Sequence, residues 1–435
     1  MLNSRNNSMW FTNSESSSYI NLKLKKMKKH CRRFALLLLG LFMVQAGVLY
    51  CQNFKVTIDK PVNGVFTLDP QVPADGSYPA VTVVTVNPRP DDGYVVDAVY
   101  YSIPGMWGQM YTEFPAPPFK ITVSKEMHIG VSFIDKSAVD HINVTQDIVY
   151  AKPGVKTLKY DVYSPKGAKD LPCIVIIHGG GWRSNDENIM RGLARELTKG
   201  GKFVVFSIDY RWAGTGDGDT IPNTMTDLIG DVFGAIAHIM EHAAEYGGDP
   251  TRIGITGDSA GGHLSAVAGV MPSKIGDGGF GRTPGVFEFM PSYIPSNKTV
   301  EQVRTEIMAS VKAAAPSYGV FGGSLLNHYS EDPAADDTWK DAVAPLSNIP
   351  QAKDRAVAQY LSRGTLDVLI KDEPVKEYVD ALVKAGQRVE YVQVGGANHA
   401  FFDWKPDERT KNTFYQYGVY YAAEMKAFFV STIYN

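Results

Sequence analysis

The stretch Thr256-Gly257-Asp258-Ser259-Ala260-Gly261-Gly262-His263 constrains this chain more than any other. The apolar run Arg252-Ile253-Gly254-Ile255 leads into it and helix-compatible residues follow, so it reads as strand, sharp turn and helix with Ser259 at the apex. Gly257 and Gly261 fit the G-x-S-x-G elbow, whose turn strains the serine backbone and leaves no room for a β-carbon on the flanking residues. At the helix N-terminus the Ser259 hydroxyl would stand where backbone N–H groups and the helix dipole favour developing negative charge. Alone, the pentapeptide also fits an ordinary Gly-Ser turn at a strand end, so partners elsewhere in the chain must decide.

One partner lies upstream, where Cys173-Ile174-Val175-Ile176-Ile177 runs into His178-Gly179-Gly180-Gly181-Trp182. Five apolar residues bounded by a glycine run predict a strand buried on both faces, ending in a loop with open amides. The N–H groups of Gly180 and Gly181, with that of Ala260, can converge on one oxygen, and such donors stabilise the oxyanion of a tetrahedral intermediate. A phosphate cradle is the rival reading. It lacks support, because no Gly-Lys-Ser/Thr follows and the loop itself is not a G-x-G-x-x-G.

An acid and a histidine should come later in the chain, in that order. Asp367 follows the expected strand Ala356-Val357-Ala358-Gln359-Tyr360-Leu361, and His399 follows the alternating strand Val389-Glu390-Tyr391-Val392-Gln393-Val394. Between them Val375, Tyr378, Val379, Leu382 and Val383 have helical spacing. A serine hydroxyl is a weak nucleophile at neutral pH, so His399 would take its proton and Asp367 would orient and stabilise the imidazole. Singly, His399 fits a buried structural histidine and Asp367 a helix cap. Jointly, in this order and each just after a strand, they read as a catalytic set with Ser259.

Residues 148–429 resemble the α/β-hydrolase superfamily, and within it the hormone-sensitive-lipase-like and bacterial feruloyl/acetyl esterase group, on the motifs HGGGW and GDSAGG. Lys159-Tyr160-Asp161-Val162-Tyr163-Ser164-Pro165, Ile208-Asp209-Tyr210-Arg211 and Gly247-Gly248-Asp249-Pro250-Thr251-Arg252-Ile253 also resemble that group. The resemblance implies Ser259 as nucleophile, Asp367 as acid, His399 as base, and Gly180, Gly181 and Ala260 as the oxyanion hole. It also implies carboxylic ester hydrolysis with no metal or organic cofactor, acetyl or feruloyl esters of plant polysaccharide being the expected substrates. Trp212 stands where a leucine is usual and Asn398 where a glycine often precedes the histidine, which leaves the substrate open. The alternatives are a small-ester lipase-like esterase, a formamidase, and a surface carbohydrate-binding protein.

At 435 residues, with 44% hydrophobic and 20% charged composition, the chain has room for one large core and a second small domain. Residues 1–51 hold eight Lys or Arg and one acid, leaving the remainder with a net charge of -10, which argues against nucleic-acid binding. That basic cluster precedes the apolar residues 34–44, the layout of a secretory signal peptide, with Met27 as the expected start. The run is shorter than the roughly 20 residues of a membrane span, so the expectation is an exported chain without a permanent span. Cys51 is a poor site for lipidation because Tyr50 is too large, and cleavage before Gln52 would leave Cys173 without a disulfide partner.

Residues 53–139 read as a small all-β, sandwich-like domain, with strands near 54–58, 80–86, 94–101, 119–123 and 127–133. Trp107, Tyr111 and Phe114, expected in its loops, are either a sugar platform or ordinary packing aromatics. From 144 to 435 strands near 159–163, 173–177, 203–208, 252–256 and 311–316 alternate with helices, which predicts a mostly parallel sheet covered on both sides. The clearest helix, 227–245, carries His238-Ile239-Met240-Glu241-His242, an H-x-x-E-H pattern; both histidines are expected opposite the apolar stripe with no third ligand, so no metal is assigned. Trp182, with Phe287 and Tyr293 from the aromatic insertion 272–297, are candidates for the substrate pocket, or else pack the insertion onto the domain.

Overall fold

The computed structural model of the protein describes residues 52–105, 108–277, 289–323, 326 and 337–434. The expected signal peptide, Cys31 and Cys51, Trp107 and Phe287 lie outside the described residues. The chain divides into two compact units: one holds the chain up to Arg89 together with Ala98–Val131, the other Pro90–Asp97 together with Ser132–Asn435.

The first region is all β. Its strands are β1 (Asn53–Ile58), β2 (Gly64–Asp69), β3 (Ser77–Pro79), β4 (Thr82–Pro90), β5 (Tyr94–Gly105), β6 (Gly108–Phe114), β7 (Lys120–Val123) and β8 (Met127–Asp135). Among the described residues they form two sheets, ordered β3-β1-β8-β5-β6 and β2-β4-β7. Period-two alternation builds the core, as β4 and β7 turn Val84, Val86, Ile121 and Val123 inward while Val83 and Lys120 face out. Tyr111 and Phe114 are not in loops. They belong to β6, paired antiparallel with β5, where Tyr111 meets Tyr100 edge-on at 5.5 Å and Phe114 lies 6.3 Å from Tyr101. Cross-strand aromatic contacts of this kind favour pairing over a loop.

In the second unit, β9 (Ile142–Ala151), β10 (Leu158–Pro165), β11 (Leu171–Ile177), β12 (Val204–Ile208), β13 (Gly248–Asp258), β14 (Val311–Ser317), β15 (Ala358–Gly364) and β16 (Val389–Val394) form one sheet in the order β16-β15-β14-β13-β11-β12-β10-β9. All neighbours from β12 across to β16 are parallel, whereas β10 and β9 join antiparallel at the far edge. This is the α/β-hydrolase arrangement. The central apolar runs Cys173 to Ile177 and Val204 to Ile208 are wholly buried, as two covered faces require. β9, a strand the sequence pattern does not predict, mixes buried and exposed positions as an edge strand does.

The helices are α1 (Arg191–Thr198), α2 (Met225–His242), α3 (Ala260–Val270), α4 (Val300–Ser310), α5 (Asp337–Val343), α6 (Asp372–Lys384), α7 (Glu408–Thr413) and α8 (Val419–Ile433). A capping box starts α2, with the Thr224 amide donating to Asp227 at 2.8 Å, and Ile229, Val232, Phe233, Ile236 and Ile239 form its buried stripe. His238 does not face solvent as expected. It is half-buried, 3.0 Å from the Tyr160 hydroxyl and tilted against the His242 ring at 4.3 Å, and burial followed by its neighbour's charge pushes its pKa down to about 4.

β11 lies between β12 and β13, so successive crossovers run to opposite sides of it, the switch point at which an open parallel sheet leaves a crevice beyond the carboxyl ends of its strands. The loop after β11 and the turn after β13 both end there.

The second unit takes in Pro90–Asp97, well before residue 144, and Asp97 brings a buried charge into it. The Asp97 carboxylate is wholly enclosed and accepts from Arg191 Nε at 3.0 Å and Nη2 at 2.9 Å, from Arg195 Nη2 at 2.5 Å and from Trp404 Nε1 at 2.9 Å. Burial works to raise its pKa, but the two guanidinium charges outweigh it and hold the group well below the usual carboxylate range. A depressed native pKa adds stability that is fully present above the unfolded pKa and is lost as pH falls from there through the folded pKa. Asp97→Asn is therefore expected to cost about 3–5 kcal/mol at neutral pH, and urea unfolding should show the deficit shrinking below about pH 4.

Candidate active site

The turn after β13 is built by close approach. Ser259 sits at φ 52° and ψ -112°, and its amide donates to Ser317 O at 3.0 Å. A β-carbon on Gly257 would stand 2.4 Å from Gly261 O, and one on Gly261 only 2.0 Å from Ile177 O. Helix α3 can thus start against the ends of β11 and β13 only with glycine at both positions. The serine, strained but held on both sides, projects into the crevice at the head of α3.

Its partners arrive from the next strands. Asp367, three residues past β15, has a fully buried carboxylate whose Oδ1 accepts from the amides of Leu369 and Ile370, each at 2.9 Å. His399 follows β16; its Nδ1 lies 2.8 Å from Asp367 Oδ2 and its Nε2 lies 3.0 Å from Ser259 Oγ. The Tyr318 ring meets the imidazole edge-on at 4.8 Å and fixes its plane. Burial opposes ionisation of Asp367, but the His399 ring and the two amides prevail and hold its pKa below the ordinary value. With Nδ1–H donated to that carboxylate, Nε2 is left to accept the serine proton.

The glycine loop completes the site. Gly180 and Gly181 adopt φ 120° and 60°, and a β-carbon on Gly180 would fall 2.2 Å from Ser184 O. Among the described residues the amides of Gly180, Gly181 and Ala260 donate to no protein acceptor. The loop itself is fixed from behind. Gly179 N–H donates to Asp258 Oδ1 at 2.6 Å, and Gly180 O accepts from Arg183 N at 3.1 Å and Ser184 Oγ at 2.8 Å. His178, wholly buried, stacks on Tyr210 at 4.3 Å, and its Nε2 lies 3.2 Å from Asp209 Oδ1. Lys156 Nζ also donates to Asp209 at 2.8 Å; although burial works against it, the lysine and histidine keep Asp209 below the ordinary carboxylate pKa.

The sequence pattern gives Asp258 no role, although it stands within the Thr256–His263 octapeptide. It also gave no role to Asp209 and Tyr210, whose signal was the Asp-Tyr-Arg run after β12.

The pocket candidates fare differently. Trp182, at φ 61°, is turned into the core, where its indole is buried and stands edge-on to His263 at 5.6 Å. Tyr293 lies beside the C-terminal end of α2, its hydroxyl donating to Glu241 and its ring 4.7 Å from His238, apart from the triad. The insertion packs back along the helix there, since the backbone at Met290, Ser292 and Tyr293 lies against Gly230 and Gly234. Among the described residues one acidic group, Asp147, Asp161 and Glu187, has the spacing to hold a cation, and the Lys159 ammonium already contacts Asp147 and lies 3.1 Å from Glu187.

A family model described as BD-FAE matches residues 160–341. The chain is 36% identical to Carboxylesterase NlhH of Mycobacterium tuberculosis over 124 residues, covering 28% of this chain and 37% of that protein. It is 27% identical to Carboxylic ester hydrolase LipN of Mycobacterium tuberculosis over 274 residues, 60% of this chain and 65% of the relative. The chain thus matches less than two thirds of the length of these curated relatives. A solved structure of Thermogutta terrifontis esterase 2 phosphoramylated by tabun is 26% identical with a TM-score of 0.49, covering 67% of this chain and 95% of that one.

Gly261→Ala drives a methyl group into Ile177 O, so a loss of about 1–3 kcal/mol or more is expected. Thermal unfolding of the variant beside Ala266→Gly, a substitution within the same helix but away from the turn, measures it.

Proposed function

We infer that this chain, a member of the α/β-hydrolase esterases, cleaves carboxylic esters through an acyl-serine intermediate. The reading rests on one observation, the line Ser259–His399–Asp367 at 3.0 and 2.8 Å in front of three undirected amides. Ser259 Oγ attacks the ester carbonyl while its proton passes to His399 Nε2, and the new oxyanion takes the N–H groups of Gly180, Gly181 and Ala260. The tetrahedral intermediate collapses, the alcohol leaves with the proton from His399, and water repeats the sequence on the acyl-serine. Asp367, kept ionised by its amides, stabilises the imidazolium in both halves.

The substrate we propose is an acetyl or feruloyl ester on plant polysaccharide, met outside the cytoplasm. Three features support this: the resemblance to feruloyl and acetyl esterases, the all-β region ahead of the hydrolase, and the basic-then-apolar layout of residues 23–44. A second reading, hydrolysis of small free esters, draws on the two relatives named above, whose names give carboxylic ester hydrolysis and no polysaccharide.

Ser259→Ala and His399→Ala are expected to lower kcat by about 10⁴- to 10⁶-fold. The measurement is acid release from acetylated xylan and feruloylated arabinoxylan, beside p-nitrophenyl acetate and N-formylkynurenine, with Ser259→Ala as the blank. Acetate or ferulate released only by wild type supports the polysaccharide reading, and turnover of p-nitrophenyl acetate alone transfers weight to small esters. Full activity in either variant would overturn the assignment.

A further inference from the structure

Asp97 lies 94 residues before Arg191 and 307 before Trp404, yet all three meet in the buried interior of the hydrolase unit. Each partner opens a path toward the site. Trp404 is five residues past His399, and its amide donates to Ile189 O at 2.9 Å while its indole N–H is held by Asp97. Between them Ala400 turns the chain at φ 59°, and Phe401 and Phe402 each lie 5.3 Å from the Tyr318 ring that also faces His399. The histidine loop is therefore pinned at its far end by two N–H groups of Trp404, of which the indole's alone is held by Asp97. Gly192 makes room for that indole, since a β-carbon there would stand 2.7 Å from it.

The second path runs through Arg191, whose Nη1 donates to Asn188 O at 2.9 Å. Asn188 lies in the short helical turn Glu187–Met190, capped when its own amide donates to Asp186 at 3.0 Å. Asn185, next before the cap, donates from Nδ2 to Gly179 O at 3.4 Å, and Ser184 holds Gly180. Arg195 adds charge without adding a path: among the described residues its Nε and Nη1 have no hydrogen-bond partner, and its guanidinium stands 5.5 Å over the Trp404 ring.

We propose that Asp97 is a positioning residue for the reaction, acting through Trp404 on His399 and through Arg191 on the Gly180 and Gly181 amides. This rests on the esterase reading above. A buried carboxylate with donors from both segments fixes them relative to each other, and misplacement of about 1 Å at a reacting group can cost about 10²-fold in rate. An element far ahead of the hydrolase sheet thereby sets the distance between base and oxyanion donors.

The test uses the full chain with p-nitrophenyl acetate, and separately the rate of Ser259 labelling by a fluorophosphonate, followed by intact mass. Trp404→Phe keeps an aromatic ring but removes the N–H together with the five-membered ring of the indole, and the double variant with Asp97→Asn separates the lost hydrogen bond from the lost packing. The single variant is expected to lower kcat by about 10- to 100-fold, to slow labelling in the same proportion, and to leave KM within about twofold. Adding Asp97→Asn should then lower kcat by less than the product of the single effects, since the two substitutions share the Trp404–Asp97 bond. A Trp404→Phe enzyme with wild-type kcat and labelling rate, whatever its melting temperature, would overturn the proposal even if Asp97→Asn fails to fold. Absence of turnover and labelling in the wild type is a different outcome, which overturns the esterase reading and this inference with it.

Discussion

The 2.6 Å hydrogen bond from the Gly179 amide to Asp258 is the constraint on which the site depends. β11 and β13 are parallel neighbours with Ile177 opposite Gly257, so the strands deliver the glycine loop and the serine turn side by side. Nothing in the ladder fixes them once the strands end. Asp258, the last residue of β13, does: its carboxylate reaches across to the loop, while the positive-φ turn that follows aims Ser259 the other way. Gly179 must be glycine at such range, as a β-carbon there would lie 2.3 Å from the carboxylate. Donors fixed before substrate arrives need no reorganisation when charge develops.

Charge around the serine is arranged accordingly. An ionised Asp258, adjacent to Ser259, would oppose an oxyanion, since unit charges about 4 Å apart interact by about 4 kcal/mol at moderate screening. Burial, and after it the charge of Asp403, pushes the Asp258 pKa well up and favours the neutral acid. Asp367 goes the other way, for it has two amides and an imidazole to stabilise its charge. Asp209 also stays ionised, but beyond His178, where Lys156 neutralises it. Negative charge is retained where it supports an imidazolium and suppressed next to the nucleophile.

Most of this was legible in the sequence where a residue type and its position after a strand jointly restrict the role. Ser259, Asp367 and His399 each follow an apolar run, and their order allows one reading. The glycine loop was legible because three consecutive glycines after a buried strand serve few purposes. Aromatic residues carry no such restriction. Trp182 and Tyr293 have the same sequence signature whether they line a site or pack a core, and a left-handed turn at one and the path of the insertion at the other decided for packing. β9 was missed because a half-exposed edge strand lacks the apolar run that marks its neighbours.

Asp97 shows why a boundary read from texture can fall in the wrong place for chemistry. The composition changes near residues 135–143, where turn-rich strands give way to alternating strands and helices, and a reading by pattern divides the chain there. Buried charge follows a different rule. Arg191 and Arg195 lie on one helix, both nearly excluded from water, and their shared counter-ion is a residue whose sequence neighbours belong to the all-β stretch. Removing a carboxylate from two enclosed guanidinium groups costs about 3–5 kcal/mol, as much as exposing about two large apolar side chains. The hydrolase unit therefore extends to wherever its cations are neutralised, and no local pattern records a contact made across 94 or 307 residues.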